Sequence, residues 1–149
     1  MTIPLDQIYQ ETILDHNRKP RNFREMPGAT NESHGYNPLC GDDYHLYLKV
    51  EGGKVADVAF QGHGCAISKA SASMLTQAVK GKDLAAARDL KDRFIGLVTR
   101  DCVSEIKDAD VLGSLAAFEG VRRFPVRVKC ATLIWHALEE AIALRRVHP

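Results

Sequence analysis

The chain has 149 residues, enough for one core and too few for two comfortable domains, so a single domain over 1–149 is expected. Lysine plus arginine number 20 against 19 aspartate plus glutamate, which gives no ground for bulk attraction to nucleic acid or to a membrane surface. No apolar run approaches a membrane span, and "MTIPLDQIYQETILDH" lacks a signal-peptide apolar segment, so a cytoplasmic protein with reduced thiols is expected.

Leu5, Ile8, Tyr9, Thr12 and Ile13 recur at helical spacing, which predicts an amphipathic helix over 4–17. A stretch rich in Pro, Gly and Asn follows and reads as loop, with a short edge strand near 30–36. Residues 43–50, "DYHLYLKV", alternate: Tyr44, Leu46, Leu48 and Val50 point one way, His45, Tyr47 and Lys49 the other. "EGGK" is a hairpin turn, and "VADVAFQ" pairs back with Ala56, Val58 and Phe60 expected on one face.

"GHGC" breaks that strand. Ile67, Ala70, Met74, Leu75 and Ala78 then mark a helix over 66–80, ended by Gly81. One or two further helices follow, burying Leu90, Phe94, Leu97 and Val98. Residues 101–113 read as a charged loop and "SLAAFEGVRRF" as a short helical turn. After Pro125 a last helix is expected over about 129–146. Its stripe is Ala131, Ile134, Trp135, Leu138, Ala141 and Ile142, with Thr132, His136, Glu139, Glu140 and Ala143 facing away. The predicted architecture is α+β: a small antiparallel sheet with helices packed on one face.

The four cysteines are Cys40, Cys65, Cys102 and Cys130. In a reducing compartment they read as metal ligands, nucleophiles or buried fillers before disulfides. Cys40 and Asp42 fall in the loop before the first clear strand, Cys65 at the start of the long helix, and Cys130 in the expected first turn of the last helix. A helix N-terminus carries partial positive charge, and that field favours the thiolate. Arg127 and Lys129 add positive charge beside Cys130. Cys102 lies in a charged segment without a partner motif and reads as a small buried hydrophobe. No C-x-x-C pair occurs, so spacing does not by itself bring the other three together. Asp42 and Asp43 remain alternatives at this point: either suits a ligand, and either suits an Asx-turn. His63, two residues before Cys65, reads as a solvated turn histidine.

"NPLCGDD", "GHGCAISKASASMLTQAVKGK" and "FPVRVKCATLIWHALEEAI" resemble the U-type iron–sulfur assembly proteins, nearest to the SufU branch. The likeness runs nearly end to end. It implies metal ligation by Cys40, Asp42, Cys65 and Cys130, and so selects Asp42 over Asp43. Lys129 stands where IscU scaffolds have histidine, and residues between about 99 and 120 resemble the extra segment of SufU-type proteins. "RFPVRVK" replaces the Leu-Pro-Pro-Val-Lys stretch that binds a chaperone in IscU.

The resemblance further implies a zinc-dependent sulfurtransferase in iron–sulfur cluster biogenesis. Its partners would be a pyridoxal-phosphate cysteine desulfurase, which supplies persulfide sulfur, and a downstream scaffold or other sulfur acceptor. Cys40 would be the acceptor, and Arg127 and Lys129 would offset the charge of the site. Two alternatives stand beside this: a scaffold for a [2Fe–2S] cluster on the same residues, and a zinc-stapled binding module without catalysis.

Overall fold

A computed structural model describes residues 11–99 and 112–143. Residues 4–10 of the expected first helix, residues 100–111 with Cys102, and residues 144–149 lie outside these. The order is α1 (Glu11–Arg18), β1 (Asn31–Asn37), β2 (Asp42–Glu51), β3 (Lys54–His63), α2 (Ala66–Val79), α3 (Leu84–Thr99), a 3₁₀ helix (Gly113–Arg123) and α4 (Pro125–Ala143).

The strands form one antiparallel sheet in the order β1-β2-β3. The edge strand expected near 30–36 is a seven-residue partner of β2, from Asn31 opposite Leu48 to Asn37 opposite Asp42. β2 alternates as its sequence predicts, with Tyr44, Leu46 and Leu48 fully buried and His45 and Lys49 exposed. α4 packs against β1 and β2, and α2 against β3, so the helices cover one face. Side chains of β1 also bond to the helix beneath: Asn31 Nδ2 donates to the Ala141 carbonyl at 2.9 Å and Ser33 Oγ to that of Ala137 at 2.6 Å. Strand positions two apart thus meet helix positions four apart.

β3 departs from the expected alternation. Val55 is buried and Ala56 exposed, because the register shifts between Lys49 and Val50: Val50 pairs with Val55, while Lys49 pairs with Asp57. Ala56 is the extra residue of a bulge, and all side chains before it change face. The turn beside it is built on Gly52 and Gly53, both at positive φ. Val55 is also bonded to the segment after α2, its N–H donating to Lys82 and its carbonyl accepting from Gly81.

Three other expectations change. "SLAAFEGVRRF" lies within an eleven-residue 3₁₀ helix that buries Leu115, Phe118 and Val121, not a single turn. The last helix begins at Pro125, where a fixed φ and a missing N–H suit the first helical position. Thr132 is buried rather than facing away, and its hydroxyl bonds back to the Val128 carbonyl at 2.9 Å.

The core is centred on Trp135, fully buried and stacked on Phe94 with centroids 4.8 Å apart. Its indole N–H donates to Ser71 Oγ at 3.0 Å, and the Ser71 hydroxyl donates in turn to the Ala131 carbonyl. This satisfies a hydroxyl that α2 carries into the interior.

Candidate metal centre

The hairpin β1–β2 closes through Pro38, Leu39, Cys40 and Gly41. Asn37 shapes that turn: its side-chain oxygen accepts from the Leu39 N–H at 3.2 Å, and its carbonyl from the Cys40 N–H at 3.3 Å. Cys40 is thereby held half-buried at the tip.

Asp42 is not a loop residue as expected but the first residue of β2, and it is fully buried. Alternation turns Asp42 inward and Asp43 outward, where Asp43 Oδ1 meets His34 Nε2 at 2.6 Å. The His34 imidazole holds the Asp43 carboxyl below its usual range.

Cys65 is the N-cap of α2, and its thiol accepts weakly from the Ser68 N–H at 3.5 Å. Cys130 corrects an expectation. Because α4 starts at Pro125, Cys130 is the sixth helical residue, and it is fully buried. It lies past the first turn, so the helix-end field does not favour its thiolate. Burial, then the closeness of Cys40 and of the Asp42 carboxylate, pushes its thiol well above the ordinary range. The protonated Cys130 thiol donates to Cys40 Sγ at 3.1 Å.

The structure brings three of the four expected ligands together. The Cys40 and Cys130 sulfurs and an Asp42 carboxylate oxygen all lie within 4.8 Å of one another. The Cys65 thiol is not one of this set. Its backbone nevertheless touches the set, its N–H donating to Asp42 Oδ1 at 3.0 Å. Arg127 is half-buried and Lys129 exposed on the first turns of α4. Lys129 makes no hydrogen bond or ion pair among the described residues. His63 is exposed at the end of β3.

Three further residues, Tyr44, Gly64 and Ser68, support the set. Ser68 Oγ donates to Asp42 Oδ1 at 3.0 Å. The Cys65 carbonyl lies at the same distance from that hydroxyl, and the charged acceptor gives the stronger bond. Tyr44 OH lies 3.0 Å from Ser68 Oγ, and with the Ser68 proton committed to the carboxylate, the phenol is the donor. Burial raises the Tyr44 pKa, which keeps that donor protonated. Gly64 completes the group. A Cβ there would overlap Asp42 Oδ1, Ser68 Oγ and the Tyr44 hydroxyl. Ser68 carried a signal, since it stands three residues after a helix cap, and Tyr44 another, as a phenol on a buried strand face.

These contacts fix one oxygen of Asp42 and leave the other. Oδ2 is buried and has no hydrogen-bond partner, an arrangement that is costly for a carboxylate unless a cation meets it. Soft thiols and one carboxylate are the donor types of zinc, and thiolates equally suit iron. The donor set therefore fits either metal.

Residues 8–131 match the NifU-like N-terminal domain family. The chain is 44 % identical to the zinc-dependent sulfurtransferase SufU of Bacillus subtilis, over 93 % of this chain and 92 % of that one. It is 39 % identical to the iron–sulfur cluster assembly scaffold protein IscU of Streptococcus pyogenes, over 93 % and 84 %. The crystal structure of FiSufU from Fervidobacterium islandicum, a protein described as an iron–sulfur cluster assembly scaffold for the SUF system, superposes with a TM-score of 0.84 at 32 % identity, covering 93 % of this chain and 99 % of that one.

Proposed function

This chain belongs to the NifU-like N-terminal domain family, and from that premise we propose that it is a zinc-dependent sulfurtransferase of iron–sulfur cluster biogenesis. It takes persulfide sulfur from a cysteine desulfurase and passes it to a downstream scaffold or other acceptor. Cys40, Asp42, Cys65 and Cys130 are the zinc ligands in this reading, with Arg127 and Lys129 offsetting the negative charge. The observation that carries it is a buried Asp42 carboxylate that keeps one oxygen, Oδ2, unpartnered and is grouped with two thiols whose sulfurs lie 3.1 Å apart. Zinc bound there supplies a charge that keeps the thiols ionised at neutral pH.

Cys40 is the sulfur acceptor. It stands on a hairpin tip, whereas Cys65 caps α2 and Cys130 is embedded in α4. A tip of four residues moves at less cost than a packed helix. The Cys40 thiolate attacks the outer sulfur of the donor persulfide, and a new sulfur–sulfur bond forms on Cys40. The donor's own sulfur–sulfur bond breaks, and its electron pair leaves on the donor cysteine as a thiolate. No net oxidation occurs. Leu39, 72 % exposed next to Cys40, offers the donor an apolar contact. The reaction belongs in the cytoplasm, where thiols stay reduced. No described helix is long and apolar enough to cross a membrane.

A second reading, a [2Fe–2S] scaffold on the same ligands, is favoured by the relative named as a scaffold. A zinc-stapled module without catalysis is the third. One experiment separates them: metal content and visible absorption of anaerobically purified protein, with desulfurase turnover measured in its presence. The proposal expects zinc, no visible chromophore, and stimulation that Cys40→Ala abolishes. A coloured, iron-containing protein supports the scaffold. Zinc without stimulation supports the binding module.

A further inference from the structure

The outward face of the sheet carries a cluster that the thiol centre does not use. His34 and His45 are direct cross-strand partners on β1 and β2. Their rings stack at 4.4 Å with only 10° between planes. Asp43, two residues before His45 and on the same face, meets His34 Nε2 at 2.6 Å. One ligand atom from each of the three lies within 4.8 Å of the others. On β3, His63 stands directly across from Asp43. Tyr36 and Tyr47 end the row of rings on either side.

A histidine–carboxylate pair would account for His34 and Asp43 alone. It does not account for His45, whose ring makes no hydrogen bond among the described residues while lying flat against His34. We propose that His34, Asp43 and His45 form a second metal site, on the open face of the sheet, for a divalent first-row transition ion. Two imidazoles and one carboxylate are a donor set of intermediate softness, suited to zinc, nickel or ferrous iron and poorly suited to magnesium or calcium, which favour all-oxygen shells. The backbone is already ordered, because paired strands fix all three Cα positions, so binding costs chiefly side-chain adjustment. A cation takes the place of the proton now shared by His34 and Asp43, and His34 then carries its proton on Nδ1.

The two sites are separate by construction. Asp42 faces the interior and Asp43 the solvent, so they lie on opposite sides of β2. The outer site therefore does not depend on what the thiols bind.

Zinc titration of the full chain tests this, by calorimetry in a non-chelating buffer at pH 7.5, starting from protein whose thiol centre already holds one equivalent. A second, weaker equivalent is expected. His34→Ala and His45→Ala should each weaken it by at least about tenfold, as loss of a ligand does at least as much as loss of a supporting contact. Cys40→Ala should leave it in place, which locates it away from the thiols. Both histidines are exposed, and far-UV circular dichroism checks that the variants fold. Absence of a second equivalent in the unsubstituted chain, or one that survives both histidine substitutions unchanged, overturns the inference.

Discussion

Ser68 Oγ donates a hydrogen bond to Asp42 Oδ1 across 3.0 Å, and that bond engages one of the two buried carboxylate oxygens. With Oδ1 also held by the Cys65 N–H, only Oδ2 remains for a metal. Ser68→Ala removes one anchor and leaves a buried oxygen with a single partner. Zinc affinity should fall by about 10- to 100-fold, measured by competition with a chromophoric chelator. The metal-free protein should lose about 1–3 kcal/mol of stability in urea.

Gly64→Ala places a methyl group where Asp42, Ser68 and Tyr44 converge. The neighbours are a fixed carboxylate, the Ser68 hydroxyl that donates to it and the Tyr44 hydroxyl bonded to Ser68, so none can yield without breaking a bond. Destabilisation of about 1–3 kcal/mol is expected, together with loss of zinc. Tm and metal content of the purified variant measure both.

Cys65→Ala and Cys130→Ala should both lower zinc content, by different routes. Cys130 is in the core, so its loss also leaves a small cavity. Cys65 is half-buried at a helix start, and its loss removes a weak cap. Cys130→Ala should therefore lower the Tm of the chelator-treated protein more than Cys65→Ala does. Unchanged zinc in either variant would remove that residue from the ligand set.

His16 supplies a pH-dependent element away from the metal centre. It is buried, and its Nδ1 lies 2.7 Å from Ser73 Oγ, which itself accepts from the Arg21 N–H at 2.8 Å. Burial, then the Arg21 charge, holds the native pKa below the ordinary 6.5. On acidification the unfolded chain binds this proton first. Stability should therefore fall as pH drops below about 6.5, until the pH passes the native pKa and the loss levels off. His16→Gln should flatten the difference in urea midpoint between pH 7.5 and pH 5.5.

Much of this was legible in the residues. Alternation over 43–50 identified β2 and its buried face, and the stripes of α3 and α4 were readable because each buries one side; α2 carries its stripe too but buries residues 70–76 without a break. What failed were features set by pairing. Ala56 was expected inside, but a bulge next to Val50 shifts the register, and a single strand's pattern does not reveal its partner's slip. Cys130 was placed in a first turn, although Pro125 was already a helix-start signal; reading it as such would have moved the cysteine into the second turn and the core. Asp42 and Asp43 are told apart by the alternation that buries Tyr44 and Leu46 once the strand is extended back to Asp42, a residue short of which the predicted strand begins. The outer histidines were invisible as a pair: His34 and His45 are eleven positions apart, and only the β1–β2 register sets them face to face.

The central claim is that Cys40 receives sulfur while the other three groups keep their places. Its most direct test is transfer of radiolabelled sulfur from cysteine, through a cysteine desulfurase, onto this protein, followed by peptide mapping without reductant. The account predicts reductant-releasable label on the peptide containing Cys40, and none on a folded Cys40→Ala variant. Label retained in that variant, or found instead on the Cys65 or Cys130 peptide, would contradict it.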